Sequence, residues 1–111
     1  MRPSDLVAKG WCKKSFALNC KGYQVQPESL EATSWCALGA VWYWKASEGI
    51  SETLPLRTAL WNKIKRKHRL LIGTLLDDQI SYWNDHLTTK KEVIQVLKEV
   101  ENEVLGEPLE V

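Results

Sequence analysis

Apolar residues recur at helical spacing in four stretches of this chain, separated by runs rich in Gly, Pro, Asn and Ser. The strongest stretch is 28–46. Pro27-Glu28 supplies a helix start, because Pro suits the first turn and Glu28 and Glu31 complement the N-terminal dipole. Trp35, Leu38, Gly39, Trp42 and Ala46 then follow the i, i+3, i+4, i+7 rule. Cys36, Ala40, Tyr43 and Trp44 make a second apolar strip beside the first. A helix that is apolar on most sides is central and buried. Gly39 inside it costs helix propensity unless another backbone passes close by.

The other elements follow from the same pattern. Ser4 or Asp5 is suited to cap a short first helix, 6–9, ended by Gly10. Residues 11–27 read as irregular, with 16–18 and 23–25 as candidates for a short β-hairpin. A helix beginning at Pro55 turns Leu56, Leu60, Trp61 and Ile64 inward and gives way at 70–72, before Gly73. Thr74 is placed to cap the next helix, with Leu76, Ile80 and Trp83 as its buried stripe. Trp83-Asn84-Asp85-His86 ends that helix. Thr89 and Glu92 form a Thr-x-x-Glu capping box for the last one, whose inner face is Val93, Leu97, Val100 and Val104. Gly106-Glu107-Pro108 stops it. The expected architecture is mainly α: a small single-domain bundle of four to five helices over 1–106 with an irregular N-terminal segment, then a frayed tail at 107–111.

Composition agrees with one core. The chain has 111 residues, 44% of them hydrophobic and 26% charged, which suits a single domain and excludes wholesale disorder. No apolar run approaches the roughly 20 residues of a bilayer span. No apolar stretch follows Met1-Arg2-Pro3-Ser4-Asp5, so a secretory signal is not expected and the cytoplasm is the expected compartment. Cys12, Cys20 and Cys36 are odd in number and lack metal-ligand spacing with His68 and His86. They read as reduced thiols, Cys12 and Cys36 as small buried hydrophobes after a Trp. No metal and no cofactor are expected.

Three sequence pieces point to a family. Gly10-Trp11-Cys12 is followed by Ser15-Phe16-Ala17; Trp35-Cys36-Ala37-Leu38-Gly39-Ala40 follows; then come Trp83-Asn84-Asp85, Thr89 and Glu92-Val93. Together they resemble a small family of unknown function found in bacteria and phages, over about residues 6–105. The resemblance implies architecture and carries no activity with it. If the gene is phage-borne, it would act in the host cytoplasm, sequestering a signalling nucleotide or blocking a defence protein.

Two polar groups compete for function. Trp83-Asn84-Asp85-His86 offers donors and acceptors beside an indole, and Trp11 and Cys12 stand at a second turn. These six residues form one candidate ligand site. The alternative is that Asn84 and Asp85 only bond turn backbone. Of the six tryptophans, Trp35, Trp42 and Trp61 fall on inward stripes, whereas Trp11, Trp44 and Trp83 lie near element ends where they could wall a pocket. The second group is basic: Arg57, Lys63, Lys65, Arg66, Lys67 and Arg69, with no acid among them from 57 to 69. It suits a phosphate-facing surface, but the net charge of +1 and the acidic stretch after Glu99 favour a solvated face answered by the last helix. No motif of a known catalytic type is present, although Cys12, His86 and Asp85 are the residue types of a thiol–imidazole pair.

The leading expectation is a non-catalytic binding protein holding a small anionic or nucleotide-like ligand, or a host protein, in a Trp-walled cleft. The second is an inhibitor that binds protein or nucleic acid through the basic helix. The third is a small hydrolase. Self-association is compatible with each, and a membrane partner is not expected.

Overall fold

The computed structural model describes residues 1–68 and 75–106. Five α-helices, one π-helical turn and one two-stranded antiparallel sheet make up the described residues: α1 Pro3–Lys9, β1 Ala17–Asn19, β2 Ala32–Trp35, α2 Ala37–Glu48, α3 Leu54–Lys67, α4 Leu76–Tyr82, the π turn Trp83–Leu87, and α5 Lys90–Leu105. Helix α5 packs on both α1 and α3, and α2 packs on α1, α4 and β2. The mainly α bundle with a short β element is therefore present. The expected Gly73 break, the Thr74 cap, Arg69 and the tail 107–111 lie outside the described residues.

The largest departure concerns the central helix. Residues 28–36 are not helical: Ala32–Trp35 pairs with β1 in the register Ala17↔Trp35, Leu18↔Ser34, Asn19↔Ala32. Trp35 Nε1–H donates to the Pro27 carbonyl at 2.9 Å, closing the loop between them. Cys36, with ψ 175°, is the N-cap of α2, and its sulfur accepts the Gly39 N–H at 3.2 Å. The apolar spacing of Trp35 with Leu38 and Gly39 thus straddles a strand–helix boundary, and long-range strand pairing overrides the local period. The hairpin expected between 16–18 and 23–25 is reduced to one bridge, Leu18↔Gln24, with β2 taking the other edge of β1.

The expected central burial of this helix holds for the start of α2 but not throughout, since Trp42 and Tyr43 are half-buried and Ala46 is exposed. Ala37, Leu38, Gly39, Ala40, Val41 and Trp44 are all buried. A Cβ on Gly39 would stand 1.9 Å from the Phe16 carbonyl oxygen, so the close backbone passage that the glycine implied is made by Phe16. Gly10 does the same at the exit of α1, where a Cβ would meet the Thr33 oxygen at 2.2 Å.

Smaller corrections have local causes. Helix α1 starts at Pro3 rather than Leu6, because Pro fits a first turn and Asp5 Oδ2 accepts the Arg2 N–H at 3.1 Å. Thr89 caps α5 as expected, its hydroxyl accepting the Glu92 N–H at 3.3 Å, but Glu92 turns its carboxylate to Thr88 and Lys67 instead of completing the box. Val104 is 37% exposed, and the inner-face position near it is filled by Glu101. Gly106 ends α5 with φ 79°. Trp42 and Trp61, expected in the core, are half-buried, while Trp44 and Trp83 are buried. The Trp42 ring is instead covered by Arg57 at 5.2 Å and Lys45 at 5.8 Å, a cation–π arrangement that keeps it at the surface.

Candidate functional site

Asn84 is the junction of the molecule. It sits on the π turn, 1% exposed, and its amide faces three separate segments. Its Oδ1 accepts Trp11 Nε1–H at 2.8 Å and the Ala37 N–H at 3.0 Å. Its Nδ2 donates to the Cys12 carbonyl and to Asp85 Oδ1, both at 3.1 Å. An amide has two donors and two acceptor positions, so all four are used within the protein. The expected bonding of Asn84 to its own turn backbone is not what the structure shows: Asn84 bonds the loop after α1 and the start of α2 instead. The wide π turn serves this, since the extra residue per turn re-aims side chains.

Asp85 extends the junction toward solvent. Its Oδ1 accepts the Lys14 N–H at 2.8 Å in addition to Asn84 Nδ2, which fixes Lys14 at φ 67°, the one non-Gly residue with positive φ among the described residues. Oδ2 of Asp85 has no hydrogen-bond partner among the described residues. Asp85, Ser81 and Cys36 line a cavity of about 620 Å³ with the 14–17 and 24–27 segments, and Phe16 stands 50% exposed at its edge. That volume falls within the roughly 300–1,000 Å³ of small-ligand sites.

Two thiols lie beside this cavity. Burial pushes the Cys36 thiol up to about 12, against hydrogen bonding from the Gly39 and Leu38 backbone, with Cys12 and Asp85 adding negative charge nearby. Burial also raises the Cys12 thiol, opposed by hydrogen bonds from the Ser34 side chain and the Cys36 backbone and reinforced by Asp85. Cys12 Sγ–H donates to the Ser15 carbonyl at 3.4 Å. Both stay protonated near neutral pH, which makes them poor nucleophiles.

Of the six residues expected to form one site, Trp11, Cys12, Asn84 and Asp85 come together. Trp83 does not join them as a wall: it is 1% exposed and belongs to the core. His86 is exposed, lies against Tyr82 with ring centres 4.8 Å apart and planes tilted by 49°, and does not line the cavity. The cavity lining contains no Trp. Of its residues, Phe16 stands out in the sequence only as part of one motif piece and as a strand candidate, and Gln24, Gln26 and Ser81 carry no site signal, because they come from irregular segments and one turn of α4.

The basic helix face meets the last helix. Lys63 Nζ pairs with Glu103 at 2.6 Å and Glu99 at 3.6 Å, and hydrogen bonding to Glu103 is the main reason its ammonium is held above the usual value. Lys67 pairs with Glu92, and Arg57 pairs with Asp77 at 2.8 Å. Burial works to raise Glu92, but hydrogen bonds from Lys67 and Thr88 and the charges of Lys67 and His68 hold it below the ordinary carboxylate value. Lys65 and Arg66 are exposed without an ion pair among the described residues.

One buried carboxylate was not anticipated. Glu101, 2% exposed, accepts the Ser4 N–H at 2.8 Å and the Ser4 hydroxyl at 2.7 Å, joining α5 to the first turn of α1. The signal was available: an acid at 101 falls on the face of Val93, Leu97 and Val100. Burial raises its pKa, while Ser4 and Arg2 lower it and Asp5 raises it.

No helix among the described residues is long and apolar enough to cross a membrane. No curated protein and no solved structure matches the chain. A family model does match, over residues 4–103, a span that contains the Trp11–Asn84 junction, both buried thiols and the Asp85 cavity. The chain belongs to DUF6197, a family of unknown function.

Proposed function

We propose that this protein is a non-catalytic binder of a small, flat ligand that presents hydrogen-bond donors, of the nucleobase or nucleoside type. The observation that carries this reading is Asp85. One oxygen is fixed by Lys14 N–H and Asn84 Nδ2–H, and the other is left for a guest in a cavity of about 620 Å³. A carboxylate with one oxygen held in place is an oriented acceptor, which suits the amino edge of a base better than a phosphate. Phe16 offers a half-exposed ring for stacking, and Gln24, Gln26 and Ser81 add adaptable polar contacts. The chemistry around the cavity supports binding without turnover. Its thiol is held protonated, and His86 lies elsewhere. Sequestration in a host cell is the use such a protein would have if phage-encoded.

The test is isothermal titration of the protein with a panel of nucleobases and nucleosides, followed by Asp85→Asn. The Asn variant keeps an oxygen for Lys14 and replaces the free acceptor by a donor, so the fold is retained and affinity drops at least about tenfold, the weight of one charged hydrogen bond. Equal affinity in wild type and D85N, or no heat with any panel member, overturns the proposal. Exposed Lys65 and Arg66 support a second reading, an anionic partner docking on α3; Lys65→Glu/Arg66→Glu would then abolish salt-dependent retention on nucleic acid.

A further inference from the structure

Cys36 lines the cavity, Cys12 lies next to the residues 14–17 that also line it, and ligand binding uses neither sulfur. Trp11 and Trp35 form a parallel bridge, closed by Trp35 N–H to the Gly10 carbonyl at 2.9 Å and Cys12 N–H to the Trp35 carbonyl at 3.2 Å. Cys12 and Cys36 each come one residue after a bridge partner, so the bridge brings the two segments together next to both cysteines. Adjacent strands lie roughly 4.8 Å apart, inside the about 4.4–6.8 Å range of Cα separations that a disulfide spans. Both side chains are buried. Cys36 lines the cavity, which gives a small oxidant a path to its sulfur. Cys20, the third thiol, is exposed on a separate turn.

We propose that Cys12 and Cys36 are a dithiol–disulfide pair, a site of reversible oxidation by a peroxide that covalently locks the cavity wall to the start of α2. The Cys36 sulfur attacks a peroxide oxygen; an S–O bond forms, the O–O bond breaks, and an alcohol or water leaves with the thiol proton. The Cys12 sulfur then attacks the Cys36 sulfenic acid. An S–S bond forms, the S–O bond breaks, and water leaves with the second proton. Two electrons pass from the two sulfurs to the peroxide, and a dithiol reductant reverses the change. The link acts on the wall that Asn84 holds through the Cys12 carbonyl and Asp85 holds through Lys14 N–H. The oxidised protein therefore has a stiffer 12–16 segment and a closed 12-to-36 loop in its unfolded state, which raises its melting temperature. Because burial keeps both thiols protonated, the link forms more slowly than oxidation of Cys20. The pair does not rest on the ligand reading and is tested without a ligand.

The experiment uses full-length protein carrying Cys20→Ser, exposed to hydrogen peroxide while folded, with intact mass, peptide mapping and thermal melting as readouts. The expected result is loss of two hydrogens per chain, a mapped Cys12–Cys36 peptide, a raised melting temperature, and full reversal by dithiothreitol. Three results each overturn the proposal. One is thiols that remain open to alkylation after unfolding, at peroxide exposures that link the urea-unfolded chain. The second is progression to sulfinic acid without a link. The third is a disulfide between chains in place of one within the chain.

Discussion

Asn84→Ala is the most informative single perturbation of this fold. It deletes an amide that satisfies Trp11 Nε1–H, the Ala37 N–H and the Cys12 carbonyl at once. Trp11 is only half-buried, so its indole N–H can turn to water. The Ala37 N–H and Cys12 carbonyl lie under the π turn and are left unpaired. A buried group stripped of its partner costs about 1–3 kcal/mol, so the two together cost about 2–6 kcal/mol. A chain of this length has a total stability of about 5–15 kcal/mol, so the variant loses a large part of it. Urea denaturation followed by Trp fluorescence and far-UV circular dichroism measures the loss, with the slope checked for two-state behaviour. Trp11→Phe completes a double-mutant cycle in which the Trp11–Asn84 coupling is about 0.5–3 kcal/mol. A loss below about 1 kcal/mol with an unchanged slope would refute the junction role. Coupling of zero would show that Trp11 is held by packing alone.

Other consequences are as direct. Gly39→Ala improves helix propensity by about 1 kcal/mol, yet its Cβ would meet the Phe16 carbonyl at 1.9 Å, so the clash wins and the melting temperature falls; a rise would show that the Phe16 backbone yields. Burial raises the pKa of Glu101 above the unfolded value, so its contribution is full below the unfolded pKa and is lost as pH rises through the higher folded one. Across that window wild type loses stability with rising pH relative to Glu101→Gln, and parallel stability–pH curves for the two proteins would contradict this. In the native protein iodoacetamide labels exposed Cys20 much faster than buried Cys12 and Cys36; equal rates, read by peptide mass, would remove the case for buried thiols.

The sequence by itself determined the helical class, a bundle of four to five helices, the Thr89 cap of α5 and the reason for Gly39. These depend on spacing and on backbone chemistry within a few residues. Periodicity placed Leu56, Leu60 and Ile64, and Val93, Leu97 and Val100, correctly inside. The sequence also singled out two turns, with Trp11 and Cys12 at one and Trp83, Asn84, Asp85 and His86 at the other, but nothing local showed which of the six would meet.

Only the tertiary structure decided the rest. Residues 32–35 carry a helical period, yet they form a strand because β1, some fifteen residues earlier, offers hydrogen bonds that a helix there would forgo. Trp44 and Trp83 went to the core and Trp42 to the surface because burial depends on what each face meets, and Arg57 and Lys45 meet Trp42. The side-chain amide of Asn84 has four hydrogen-bonding positions whatever the context. That they reach Trp11, Cys12, Ala37 and Asp85 depends on α1, α2 and the π turn meeting at one point, which no local pattern of residues encodes.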